Sequence, residues 1–150
     1  MDDAIIQEFV EGDEYTVDVL IDFNGKARCA VPRLRLETRA GEVSKAITIN
    51  DKTIIDWSYK VVSALKGAVG CITIQCIKSQ NGDLKFIEVN PRFGGGFPLS
   101  ATAGAHFPRW ILQMTLGMNI EDDLQGLWKE NCVMLRYDEG LFTTTDKVGL

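Results

Sequence analysis

The sequence predicts an α+β domain, a mostly antiparallel sheet with helices packed on one face. Three observations carry that expectation. Asn24-Gly25 and Asn81-Gly82 each stand between alternating runs, the strongest short signal for a β-hairpin. A single helix-period stripe lies between the two hairpins. The strict strand–helix alternation that a parallel, doubly wound sheet needs is missing.

Taken in order, Ala4 to Val10 is a short apolar run that reads as a strand, with Glu11-Gly12-Asp13 as its turn. Glu14 to Phe23 alternates, placing Tyr15, Val17, Val19 and Ile21 on one face. Lys26 to Thr38 is its return strand. A two-residue turn at Asn24-Gly25 would set Glu14 opposite Arg35 and Thr16 opposite Arg33. Pro32 has no N–H to give a ladder, so the return strand should be an edge or bulged there. Arg39 to Ser44 reads as a loop and Lys45 to Asn50 as a short strand. Asp51 is a good N-cap for a helix reaching about Lys66, with Gly67 as its stop. Val69 to Ser79 and Asp83 to Asn90 form the second hairpin, followed by the glycine-rich loop Pro91 to Pro98. Helices near Leu99–Ala105 and Pro108–Leu116 and a last strand from Asn131 to Glu139 complete the chain. Trp57, Trp110 and Trp128 read as core residues.

The 150 residues suit one domain, with 45% apolar and 25% charged side chains and a net charge of −5. That acidic balance argues against a sequence-independent grip on nucleic acid, which needs cationic surface. No apolar run is long enough to span a membrane. Met1-Asp2-Asp3 is acidic where a signal peptide is basic, so the expected location is cytoplasmic. Cys29, Cys71, Cys76 and Cys132 have no zinc spacing and read as reduced core thiols.

The chemistry-bearing segment is Gln75 with Phe86-Ile87-Glu88-Val89-Asn90-Pro91-Arg92. A tight turn at Asn81-Gly82 sets Gln75 opposite Glu88 and Thr73 opposite Asn90. Alternation then puts Glu88 and Asn90 on one face, Ile87 and Val89 on the other. One carboxylate and two amide carbonyls form an oxygen patch suited to Mg²⁺, with Arg92 beyond it to take a phosphate oxygen. The plain alternative is a solvated polar strand. Gly94-Gly95-Gly96, bracketed by Phe93 and Phe97, would let backbone approach a ligand closely. Arg33, Arg35 and Arg39 read equally as a solvated face or an anion cradle, and His106 as a surface or structural residue.

Phe86 to Arg92 resembles the metal-binding segment of the ATP-grasp superfamily, and Gln7 to Tyr15 resembles its adenine-binding hinge strand. Gln75 is similar to the carbamoyl-phosphate synthetase branch, where many other members carry an acid. The likeness covers about Ile5 to Leu124 and implies the C-terminal subdomain of an ATP-grasp fold. It further implies that Glu8, Phe9 and Val10 meet the adenine and Glu14 the ribose. Gln75, Glu88 and Asn90 would hold Mg²⁺ (with Mn²⁺ as an alternative) against ATP. Arg92 would be catalytic, stabilising the transferred phosphoryl group, and Arg39 would face phosphate.

The implied reaction activates a carboxylate or bicarbonate as an acyl phosphate for attack by an amine or other nucleophile. The other reading is a non-catalytic nucleotide-binding or interaction module on the same scaffold. Residues 1–150 are expected to form a single domain without the N-terminal lid subdomain, which in the family supplies a lysine and a glycine-rich loop. Weak ATP binding and little turnover by this chain alone follow from that expectation, with the remaining domains of a parent protein as partners. Self-association of an open half-cleft is left open.

Overall fold

A computed structural model describes residues 5–139 and 142–143. Six strands form one sheet in the order β5-β4-β1-β2-β3-β6, with every neighbouring pair antiparallel. They are β1 (Gly12–Ile21), β2 (Ala27–Arg39), β3 (Glu42–Thr48), β4 (Gly70–Ser79), β5 (Leu84–Asn90) and β6 (Val133–Leu135). The helices are α1 (Lys52–Ser63), α2 (Phe97–Thr102) and α3 (Phe107–Thr115). The α+β expectation therefore holds. Among the described residues no helix is long and apolar enough to cross a membrane.

The two hairpins share one device. In the second, Gly82 N donates to Ser79 O and Ser79 N donates to Asp83 O, both at 2.9 Å. Gln80, Asn81 and Gly82 thus make a three-residue loop, with only Gly82 at positive φ (91°). Asn81 keeps a negative φ, which excludes the two-residue turn expected from the sequence. Near the loop the pairs run Lys78↔Leu84 and Ile77↔Lys85, one step away from the expected register. A bulge beside Gln75 then leaves Ile87 unpaired and returns the ladder to Gln75↔Glu88 and Thr73↔Asn90. The first hairpin does the same: a loop of Phe23, Asn24 and Gly25, then a bulge that restores Leu20↔Cys29 and Thr16↔Arg33.

β2 is interior, so the expectation that Pro32 marks an edge or bulge is overturned. Pro32 O accepts from Ile49 N at 2.9 Å. Its ring nitrogen faces the same side, just where the β3 ladder ends at Thr48, so no ladder donor is missed. The first apolar run also differs from expectation. Residues 5–11 have no regular structure, and Ile5, Ile6 and Phe9 are exposed. Arg39 to Ser44 is not a loop but a tight turn, with Ala40 (φ 48°) and Gly41 (φ 82°) joining β2 to β3.

Sheet residues Tyr15, Val17, Val19, Ile72 and Ile74 form one buried face, which α1 covers with Ile54, Ile55 and Val62. Asp51 caps α1 as expected, its carboxylate accepting from Thr53 N (2.9 Å) and Ile54 N (3.2 Å). α2 adds a contact on the opposite face, where Ser100 reaches β1. Cys29, Cys71 and Cys76 are buried and free; burial pushes the Cys76 thiol up to about 12 and the other two further still. Trp110 and Trp128 are core, but Trp57 is 47% exposed under the Lys60 ammonium, because α1 turns it away from the sheet.

Candidate functional site

The face opposite α1 carries Glu14, Thr16 and Asp18 on β1, Arg33 and Arg35 on β2, Thr73 and Gln75 on β4, and Glu88 and Asn90 on β5. Direct opposition across each antiparallel pair puts them on one side of the sheet. Two different polar networks result.

The first is sealed. Asp18 and Arg33 are both fully buried and joined bidentately, Nε to Oδ2 at 2.8 Å and Nη2 to Oδ1 at 3.1 Å. Ser100 Oγ donates to Asp18 Oδ2 at 2.6 Å, and Thr73 Oγ1 lies 3.3 Å from Oδ1. The glycine loop closes over this pair. A Cβ on Gly96 would stand 2.1 Å from Arg33 Nη1, and one on Gly94 would stand 3.2 Å from Thr73. Two of the three glycines thus serve a protein guanidinium and a threonine; only Gly95 faces open space. Phe93 and Phe97 anchor the loop by packing edge to face at 4.6 Å.

The second network is open. Arg35 Nη1 pairs with Glu14, and Arg35 Nη2 donates to Gly41 O at 2.9 Å. With its amide oriented to satisfy both neighbours, Gln75 accepts from Arg35 Nη1 at 2.9 Å and donates to Glu88 Oε2. Asn90 Nδ2 donates to Glu88 Oε1 at 2.8 Å. The chain Glu14–Arg35–Gln75–Glu88–Asn90 therefore crosses four strands, with the Glu88 carboxylate exposed near its outer end. The Arg92 backbone is pinned by Thr73 Oγ1 donating to its carbonyl at 2.8 Å, leaving the guanidinium at the surface.

The structure brings Gln75, Asn90 and Arg92 to one cleft, with Glu88 joined to it by hydrogen bonds from Gln75 and Asn90 and Glu14 joined through Arg35. Glu8, Phe9 and Val10 lie outside it, in the irregular segment before β1, where Glu8 comes within 3.6 Å of Lys85. Arg39 is 62% exposed at the end of β2 and pairs with Glu37 and Asp138. His106 is exposed beside Trp110. Sequence reading did not single out Asp18. It also left Arg33 and Arg35 undecided, although the expected pairing with Thr16 and Glu14 already placed both arginines on this face. Arg136, just after β6, lines the same cleft, and no signal in the sequence announces it.

The donor set suits a hard cation. Glu88 offers carboxylate oxygens and Asn90 an amide oxygen, with room left for water and phosphate ligands. Among the described residues no group of three or more His, Cys, Asp or Glu side chains is placed to hold a metal, so any ion here relies on amides and on its substrate.

A family model described as ATP-grasp in the biosynthetic pathway with Ter operon matches residues 1–134. No curated protein matches significantly. Among solved structures, the biotin carboxylase domain of Hydrogenobacter thermophilus 2-oxoglutarate carboxylase, in complex with MgADP, ADP and bicarbonate, has a TM-score of 0.65 and 20% identity. The match covers 83% of this chain and 29% of that one. Campylobacter jejuni biotin carboxylase, in a β-γ-ATP complex, gives 0.66 and 18%, over 85% and 30%. The ATPase subunit of Aquifex aeolicus phosphoribosylaminoimidazole carboxylase gives 0.62 and 16%, over 76% and 38%. The chain thus spans well under half the length of the solved structures it matches.

Proposed function

This chain belongs to that ATP-grasp family, and on that premise we propose that it forms the Mg²⁺- and phosphate-facing wall of an ATP-dependent ligase. The enzyme would activate a carboxylate or bicarbonate as an acyl phosphate, for capture by an amine or other nucleophile. The observation that carries the reading is the shared orientation of Gln75, Glu88 and Asn90 across β4 and β5, with Arg92 beside them. The bicarbonate and MgADP held by the Hydrogenobacter domain support the same substrate class.

Glu88 and Asn90 would hold Mg²⁺, joined by Gln75 through the amide oxygen that Arg35 otherwise engages. Bound there, the ion would neutralise triphosphate charge and favour transfer to an incoming oxygen. Glu88 is held ready by two amide N–H groups, so little reorganisation is needed when charge arrives. Arg92 would stabilise the phosphoryl group as it moves. Glu14 would approach the ribose only if it left Arg35, while Glu8, Phe9 and Val10 would meet the adenine along the β4–β5 side. Arg39 would face phosphate only by leaving Glu37 and Asp138. We propose that the opposing wall, with its lysine and glycine-rich loop, comes from a separate lid subdomain, and that Gln75 marks a carbamoyl-phosphate synthetase-like branch.

Equilibrium binding of ADP, with and without Mg²⁺, tests this. Mg²⁺ should tighten ADP binding to the chain, and Glu88→Gln should remove that dependence. A Glu88→Gln protein that keeps the full Mg²⁺ effect would remove the wall from consideration. In the full-length parent, loss of ATP consumption on Glu88→Gln favours the ligase over a non-catalytic nucleotide-binding module.

A further inference from the structure

The Gln75 amide stands between two groups of opposite hydrogen-bonding type, since a guanidinium only donates and a carboxylate only accepts. Its oxygen therefore faces Arg35 Nη1 at 2.9 Å and its nitrogen faces Glu88 Oε2. A cation held by Glu88 needs the amide oxygen on the Glu88 side, the reverse of that orientation. We propose that Arg35 is a positioning residue for the metal wall. It withholds the Gln75 oxygen, so that oxygen becomes a metal ligand only when drawn away from the guanidinium. The inference rests on the Mg²⁺-wall reading and adds to it a competition that sets how tightly the ion is held.

The geometry enforces the competition. Turning the amide over would bring its nitrogen against Arg35 Nη1, donor facing donor. Arg35 is not free to step aside: Nη1 also donates to Glu14, Nη2 donates to Gly41 O at 2.9 Å, and the side chain is only 8% exposed. A charged donor that loses its acceptor at such a site is costly. Glu14 and the turn at Gly41 therefore act on the wall through Arg35, although neither reaches Glu88.

Asn90 supplies the contrast. It too turns its nitrogen to Glu88, Nδ2 to Oε1 at 2.8 Å, but among the described residues no side-chain donor holds its oxygen. Asn90 can thus turn over at little cost, while Gln75 is pinned from behind. Glu88 itself need not move, so the reorganisation falls on one side chain. Residue type matters as well. A carboxylate at position 75 would keep one oxygen on Arg35 and offer the other to the ion, whereas an amide has a single oxygen for both. Glutamine at this position is what makes Arg35 a competitor.

The test is a double-mutant cycle on the Mg²⁺ affinity of the chain. Magnesium chloride is titrated at constant ionic strength and binding is read by NMR from the Asn90 side-chain amide. Arg35→Met should tighten Mg²⁺ binding about tenfold more in the native background than in Gln75→Ala, as expected when one charge-assisted hydrogen bond leaves the competition. An equal gain in both backgrounds would reduce Arg35 to a repelling charge and overturn the proposal. So would weaker binding by an Arg35→Met chain whose spectrum is still that of the folded protein. A second readout leaves Arg35 in place. In the unaltered chain, the Gln75 Nε2 protons, identified by their absence from Gln75→Ala, should exchange faster with water as Mg²⁺ saturates, because they give up Glu88. Unchanged protection at saturation would likewise overturn it. Glu88→Gln tells the two readings apart. Mg²⁺ binding that needs Glu88 but leaves Gln75 protected removes the competition alone. A chain with no Glu88-dependent Mg²⁺ response loses the wall and the competition together.

Discussion

Asp18–Arg33 and Glu14–Arg35 are two carboxylate–guanidinium pairs on the same two strands, and their surroundings make them opposites. Asp18–Arg33 lies beneath the glycine loop and Ser100, out of contact with water. Glu14–Arg35 passes its connection outward through Gln75 to an exposed Glu88. A buried pair is expensive to break, because the surviving charge has no solvent, whereas an exposed carboxylate can be removed at little cost to folding. A sealed pair and an open polar network thus stand side by side on one sheet face, and the proposed ligand chemistry falls to the open one.

The sharpest way to break the comparison is at the sealed end. Asp18→Ala should cost about 3–5 kcal/mol in urea unfolding, since Arg33 would stay buried without its partner. Next comes a contrast inside the glycine loop. Gly96→Ala should lose about 1–3 kcal/mol through overpacking against Arg33 and Val43, while Gly95→Ala, with nothing near its new methyl, should stay within about 0.5 kcal/mol of the parent. Equal costs at the two glycines would contradict a loop folded onto the guanidinium.

Smaller effects lie away from the sealed pair. Asp51→Ala should lower stability by about 1 kcal/mol through loss of the α1 cap. Burial works to raise the Asp51 carboxyl, but hydrogen bonds from Lys78 and from the Ile54 and Thr53 N–H groups outweigh it and hold it below its ordinary value of 3.8. A depressed carboxyl contributes stability that is complete above that ordinary value and lost as pH falls through the folded one. Acid unfolding of Asp51→Asn should therefore be flatter below about pH 4 than that of the parent. Ala40→Gly should gain up to about 1 kcal/mol, because Ala40 holds a left-handed φ of 48° that glycine adopts freely. At the open end, Glu88→Gln should change stability by no more than about 0.5 kcal/mol, the same bound as Gly95→Ala, while removing the Mg²⁺ response.

Much of the proposed metal wall was legible because strand alternation and hairpin pairing are local rules. The Gln75–Glu88 register was read on a wrong premise, a two-residue turn, and survives because the bulge at Ile87 cancels the one-residue offset of the real loop. A bulge leaves no clear mark in composition, so only coordinates reveal that cancellation. The glycine run was legible as a close backbone approach, but its partner was not, since Arg33 lies far away in the chain, on the other side of α1 and the second hairpin.

Side-chain type, alternation and the Asn-Gly signals determined by themselves an antiparallel α+β sheet and the residues that share its polar face. Tertiary structure decided which of those residues are sealed and which are open. It buried Arg33 with Asp18, exposed Glu88, brought Arg136 to the cleft and left the Ile5–Phe9 run in solvent. The reason is physical: periodicity fixes the direction of a side chain relative to its own strand, but burial depends on what packs above it, and here that cover comes from a distant loop and helix.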